Sequence, residues 1–236
     1  MTSGTRRTPI EAVDLRFGYG TGQDVLHIPE LRVDAGERVF LYGPSGSGKT
    51  TLLGLVAGVL SGARGRLSVL GADFLSLRGS DRDGLRGDNI GYIFQMFNLI
   101  PYLSVEENIT LPARMSAARR ARLGSVSAAT EARRLCDALG IGALVARRVT
   151  ELSVGQQQRV AAARALLGSP ELIIADEPTS ALDADHRSSF LEVLFAQCTE
   201  RGSSLLFVSH DAALRPLFPR CVSLPEINLA GKEVRA

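Results

Sequence analysis

The chain has 236 residues, of which 45% are hydrophobic, and a formal net charge of +2. That length holds one α/β domain, or a domain with a smaller lobe inserted, and so weak a charge argues against a nucleic-acid binder that works by bulk charge. Cys136, Cys198 and Cys221 are widely spaced and form no C-x-x-C pair, which fits a reducing compartment and buried thiols rather than metal ligands. Met1 to Pro9 is polar and basic without an apolar core, so no signal peptide is expected, and no apolar run reaches membrane-spanning length. Any membrane role then passes through a partner.

Ile10 to Phe17 alternates apolar and polar residues like an edge strand, and a looser strand pattern returns over Val25 to Val33. Asp34-Ala35-Gly36-Glu37 is a turn into the apolar run Arg38 to Tyr42. A short helix with Leu52, Leu53, Val56 and Leu60 on its apolar face is broken by Gly58, Gly62 and Gly65, and Arg66 to Leu70 reads as another strand. Gly71 to Asn89 reads as turns around a short helix, and Ile90 to Phe94 as a strand that ends in Gln95. Ser104 with Glu107 three positions on forms a capping-box pattern. Ala113 to Leu139 is mostly helical with a break at Gly124 to Ser127, and its cluster Arg114, Arg119, Arg120 and Arg122 reads as a solvated helix face rather than an anion-binding patch. Helix Gln156 to Leu167, strand Leu172 to Ala175, helix Asp185 to Glu200 and strand Ser204 to Val208 follow, with His210 and a short helix after them. Strand and helix alternate at both ends while the middle is mainly helical, so the expected fold class is α/β: a core (1–95 and 169–236) with an inserted α-helical subdomain (96–168).

Three constellations carry chemistry. Gly43-Pro44-Ser45-Gly46-Ser47-Gly48-Lys49-Thr50 is a complete G-x-x-x-x-G-K-[ST] pattern placed between a strand and a helix. Backbone N–H groups of such a turn cradle phosphates, Lys49 adds a point charge at the β/γ end, and the Thr50 hydroxyl can ligate Mg²⁺. The ligand is ATP or GTP. Next, the apolar strand Leu172 to Ala175 delivers Asp176 and Glu177 to its C-terminal edge, where Asp176 can hold Mg²⁺ and Glu177 can polarise or deprotonate a water. The third is Leu152-Ser153-Val154-Gly155-Gln156-Gln157-Gln158-Arg159, a polar turn that opens a helix.

Through that third stretch, taken with the other two, the chain resembles the ATP-binding-cassette family over nearly its whole length, and the resemblance implies a P-loop nucleotide-binding core with an antiparallel β edge subdomain and the inserted α-helical subdomain. The family signature is usually Leu-Ser-Gly-Gly-Gln, and Val154 stands here at the first glycine. A glycine needed there for positive φ or close phosphate approach would make valine a defect, whereas a glycine that only makes room would not. The resemblance implies that ATP binds with Tyr19 stacked on adenine, with Gly43 to Thr50 and Thr51 around the phosphates, and with Ser153, Gly155 and Gln156 meeting the γ-phosphate held by a second copy. It further implies Thr50, Gln95 and Asp176 at Mg²⁺, and Glu177, His210, Gln95 and Lys49 as the hydrolytic set. Ser180-Ala181-Leu182-Asp183 resembles the loop that crosses the dimer interface.

The stretch Gln95 to Asn108 resembles the subgroup that serves lipoprotein release, macrolide-type efflux and related permeases. The implied protein is the ATPase of a membrane transporter of export or extraction type, a homodimer that closes on two ATP at the cytoplasmic face. The implied groove for a separate permease is formed by Phe97, Leu99, Ile100, Tyr102 and Leu103, some of which pack into the helical lobe. An ATPase of a non-transporting signalling or cell-division complex is the alternative, and no nucleic-acid partner is expected.

Overall fold

The computed structural model describes residues 7–20, 22–180 and 184–231. In chain order it contains β1 (Ile10–Phe17), β2 (Leu26–Val33), β3 (Arg38–Tyr42), α1 (Lys49–Val56), β4 (Arg64–Val69), β5 (Ala72–Asp73) and α2 (Gly79–Asn89). There follow β6 (Ile90–Ile93), α3 (Val105–Met115), α4 (Ala117–Arg122), α5 (Ala128–Ala138), α6 (Val154–Leu166), β7 (Leu172–Asp176), α7 (Ala184–Arg201), β8 (Ser204–Ser209), β9 (Arg220–Ser223) and α8 (Leu224–Ile227). Two compact units emerge, Met1–Arg86 with Ser204–Ala236 and, separately, Gly87–Ser203.

In the first unit an antiparallel sheet runs β2-β1-β4-β5. β1 is therefore an interior strand, paired with β2 on one side and β4 on the other, and the edge assignment is corrected. Its alternation has another cause: one face of the sheet buries Ile10, Ala12, Leu15 and Phe17, while Val13 and Asp14 lie outside. β2 is the edge and accommodates Pro29, which has no N–H to give a neighbouring strand. A bulge between Val13 and Arg16 puts Asp14 at φ 45°. Gly65 faces it at φ 89°, and a Cβ there would lie 2.0 Å from the Asp14 carbonyl oxygen, so this position admits only glycine. β3 pairs in parallel with β8 and with β9. Phe40 and Phe207 are fully buried, and Phe218 packs its ring 5.0 Å from Phe40 and 5.1 Å from Phe207.

In the second unit β6 and β7 pair in parallel, and helices α3 to α7 supply the rest. All of Leu172 to Ala175 is buried, as a strand covered on both faces requires. Gly91 in β6 is forced by α6, because a Cβ there would lie 2.2 Å from the Ala165 carbonyl oxygen. The capping box is present: Glu107 N–H donates to Ser104 Oγ at 3.2 Å, and the Glu107 carboxylate accepts from Ser104 N–H at 2.8 Å.

The arginine cluster is only partly a solvated face. Arg114, Arg120 and Arg122 are exposed, but Arg119 is 2% exposed and donates to the carbonyls of Gly87, Ile90, Ala165 and Leu167. Two of those acceptors lie at the C-terminal end of α6, where carbonyls lack intrahelical donors and the helix dipole favours a cation. Burial, and then the like charge of Arg122, push the Arg119 pKa down to about 10.

Candidate active site

In the first unit β3 leads straight into the phosphate loop, and α1 starts at Lys49. Gly46 and Gly48 stand at φ 79° and 100°, and Gly48 is the N-cap, so the turn needs residues without a Cβ penalty. Lys49 is 8% exposed and its ammonium donates to the carbonyls of Gly43 at 2.7 Å and Pro44 at 3.0 Å. The chain folds the lysine back over its own loop. Ser47 Oγ is buried with no hydrogen-bond partner among the described residues, although a buried hydroxyl normally has one. A phosphate oxygen is a fitting acceptor for it, and the loop passes that test of fit.

Thr50 is exposed, while Thr51 is buried and shares a hydrogen bond with the Tyr19 hydroxyl at 3.1 Å. Tyr19 itself is 56% exposed, its ring lies nearly perpendicular to that of Phe17 with centroids 5.0 Å apart, and its hydroxyl ties it to α1. The β3–β8 register pairs Tyr42 with Ser209, which sets Gly43 and the exposed His210 side by side at one sheet edge.

In the second unit the β6–β7 register pairs Ile93 with Ala175. Gln95 follows β6 by two residues and Glu177 follows β7 directly, both at the C-terminal ends of these paired strands, with Asp176 ending β7. Tyr92 stacks on Phe94 at 4.2 Å, and its phenol pKa is raised by burial and then by the charge of Asp176. Glu177 is 8% exposed and adopts φ 47°, an uncommon conformation for a residue with a side chain. Beyond Gln95, Phe97 and Asn98 are consecutive left-handed residues at φ 59° and 49°. Their carbonyls accept from Arg164 at 2.6 and 2.7 Å. That arginine holds a costly turn, of about 1–2 kcal/mol per residue, next to Gln95. Neither Arg164 nor Arg119 was legible as more than a helix residue, since their acceptors lie 29 to 67 positions away. Phe97 is buried at 8% exposure and is withdrawn from the open groove, whereas Met96 and Tyr102 are 81% and 76% exposed.

Ser153 is the N-cap of α6, its Oγ accepting from Gln156 N–H at 3.3 Å while Gln156 Oε1 accepts from Ser153 N–H at 2.9 Å. Val154 is the first helical residue, half exposed, and neither it nor Gly155 has positive φ. The first-turn N–H groups give α6 an anion-accepting end. Ser180 is described, but Ala181, Leu182 and Asp183 lie outside the described residues.

The family model for ABC transporters matches residues 26–180. The chain belongs to the ABC transporter family. The lipoprotein-releasing system ATP-binding protein LolD of Syntrophotalea carbinolica is 35% identical over 232 residues, covering 98% of this chain and 100% of LolD. The ABC transporter ATP-binding protein YbbA of Escherichia coli K12 is 37% identical, covering 91% of this chain and 93% of YbbA. Among solved structures, the dimeric post-hydrolysis ATP-binding cassette MJ0796 bound to ADP and Pi has a TM-score of 0.79 at 30% identity, covering 91% of this chain and 93% of its own. This ABC transporter protein is thus an ATPase with an ABC cassette fold, and the α/β expectation, with its antiparallel and parallel strands, is met.

Proposed function

We propose that this ABC transporter ATPase powers a separate membrane permease of export or extraction type from the cytoplasmic face. The observation that carries the reading is the exposed apolar surface after Gln95, where Met96 and Tyr102 present side chains that water disfavours and a protein partner would cover. The name of LolD points in the same direction. No described helix is long and apolar enough to cross a membrane, so the attachment we propose is peripheral, through the region around Phe97 to Leu103.

Two copies close head to tail on two ATP. Each composite site takes Lys49, Asp176, Glu177 and His210 from one chain and Ser153, Gly155 and Gln156 from the other. Tyr19 stacks on adenine, Gly43 to Gly48 and Thr51 line the loop that receives the phosphates, and Lys49 transfers its ammonium from the loop carbonyls to phosphate oxygens. Thr50, Gln95 and Asp176 offer hard oxygen donors that suit Mg²⁺, which supplies charge neutralisation on the β- and γ-phosphates when bound. Glu177 takes a proton from water as its oxygen bonds to the γ-phosphorus, the bond to the bridging β-oxygen breaks, and ADP and phosphate leave. His210 and the Gln95 amide orient that water and the γ-phosphate.

The test is purification of the tagged chain from detergent-solubilised membranes of its own host. Retention with an integral-membrane subunit, weakened by Tyr102→Asp, is the expected result. Elution without any membrane subunit would defeat the permease assignment.

Because Val154 occupies an ordinary helical position, Val154→Gly relieves no backbone strain, and ATPase turnover is expected to change by no more than about twofold. A steady-state phosphate-release assay on both proteins checks this, and a large gain would mean that the isopropyl group obstructs the partner's phosphate.

A further inference from the structure

The segment that follows β9 packs on the phosphate loop. A Cβ on Gly43 would lie 2.9 Å from Pro225 Cδ, so that ring packs directly on the loop's first residue. Three residues on, the Asn228 amide is fully used. Its Oδ1 accepts from His27 N–H at 2.9 Å and Ala230 N–H at 3.1 Å, and its Nδ2 donates to the carbonyls of Val25 at 3.0 Å and Ser47 at 3.4 Å. Two N–H groups on one end and two carbonyls on the other fix which way the amide points. Leu229 N–H adds a bond to the His27 carbonyl at 2.8 Å.

Asn228 therefore reaches the loop twice. It holds Ser47 directly, and it grips Val25 and His27 on either side of Leu26. Leu26 Cδ2 in turn sits 2.7 Å from where a Gly48 Cβ would be, under the left-handed residue that opens α1. We propose that Asn228 is a positioning residue for nucleotide binding: by fixing the Ser47 carbonyl and the floor beneath Gly48, it holds the loop's inward N–H groups at phosphate spacing. Preorganised donors bind an anion without an ordering cost, and loosening them raises the dissociation constant. The proposal rests on the reading of Gly43 to Thr50 as the phosphate site.

Asn228→Asp keeps both acceptor contacts but turns the two donors into a carboxylate oxygen facing two carbonyls. Asn228→Leu removes the polar contacts without adding charge. Both are expected to weaken binding of a fluorescent ADP analogue about tenfold, and to raise the KM for ATP similarly with kcat nearly unchanged, at temperatures where circular dichroism reports a folded protein. A merely structural role would lower Tm and leave the dissociation constant alone. An unchanged ADP affinity in both variants overturns the proposal. Lys49→Ala serves as the control: if it too binds ADP normally, the loop reading itself has failed, whereas loss only in Lys49→Ala sinks Asn228 alone.

A measurement on the unaltered protein covers the case in which neither variant folds. Coupling is reciprocal, so ADP must slow hydrogen exchange at the His27 and Ala230 amides that bond to Asn228. Exchange there that is indifferent to ADP refutes the coupling.

Discussion

The Glu177→Gln protein is expected to bind ATP normally, to hydrolyse it at least about a hundredfold more slowly, and to accumulate as a dimer. Glutamine has nearly the shape of glutamate and keeps an oxygen acceptor, but it cannot take a proton from water at neutral pH. The backbone that aims this side chain is set independently of its charge. Residue 177 stands at φ 47° just past β7, its carbonyl accepts from Ser180 N–H at 3.2 Å, and its side chain is buried. Replacement therefore removes the chemical step and leaves the site's shape. Gel filtration with MgATP should move the variant to twice the monomer mass, and phosphate release should be nearly absent. Turnover at the ordinary rate would remove Glu177 from the general-base role.

The largest effect on stability is expected at Arg119. Arg119→Met fills much of the same volume but leaves the carbonyls of Gly87, Ile90, Ala165 and Leu167 without their donor. Buried acceptors that lose a charged donor cost about 3–5 kcal/mol in total, enough to lower Tm by about 10 °C in a chain of this size. Arg119→Lys should recover only part of that loss, because one ammonium cannot span acceptors that a guanidinium fork reaches in several directions. At the exposed Arg114, the change to Met should stay within about 0.5 kcal/mol. Thermal unfolding of the three variants checks the order, and equal melting temperatures for Arg114→Met and Arg119→Met would contradict it.

The chemistry of the site was legible because each part is local. A phosphate loop is one turn between β3 and α1 and a pair of carboxylates ends one strand, whereas the Ser153 cap and the start of α6 at Val154, two residues before the expected Gln156, came from the structure. The residue types specify the backbone and the charges within a few positions. β9 and α8 were missed, since Arg220 to Ser223 is too short to show a period and Pro225 reads as a breaker. Interior and edge strands likewise alternate alike when one face is buried, so alternation alone does not reveal the second partner of β1, β4.

By itself, then, the sequence determined the nucleotide loop, the acidic pair and the polar turn that opens a helix after Leu152, all of which depend on neighbours along the chain. Only the tertiary structure decided that Arg119 is buried among carbonyls, that Phe97 turns inward while Met96 and Tyr102 stay out, and that Val154 sits in an ordinary helical conformation. It also decided that Asn228 grips residues about 180 to 200 positions earlier. Hydrogen-bond partners so distant leave no periodic trace, because burial depends on what another segment brings to the same place.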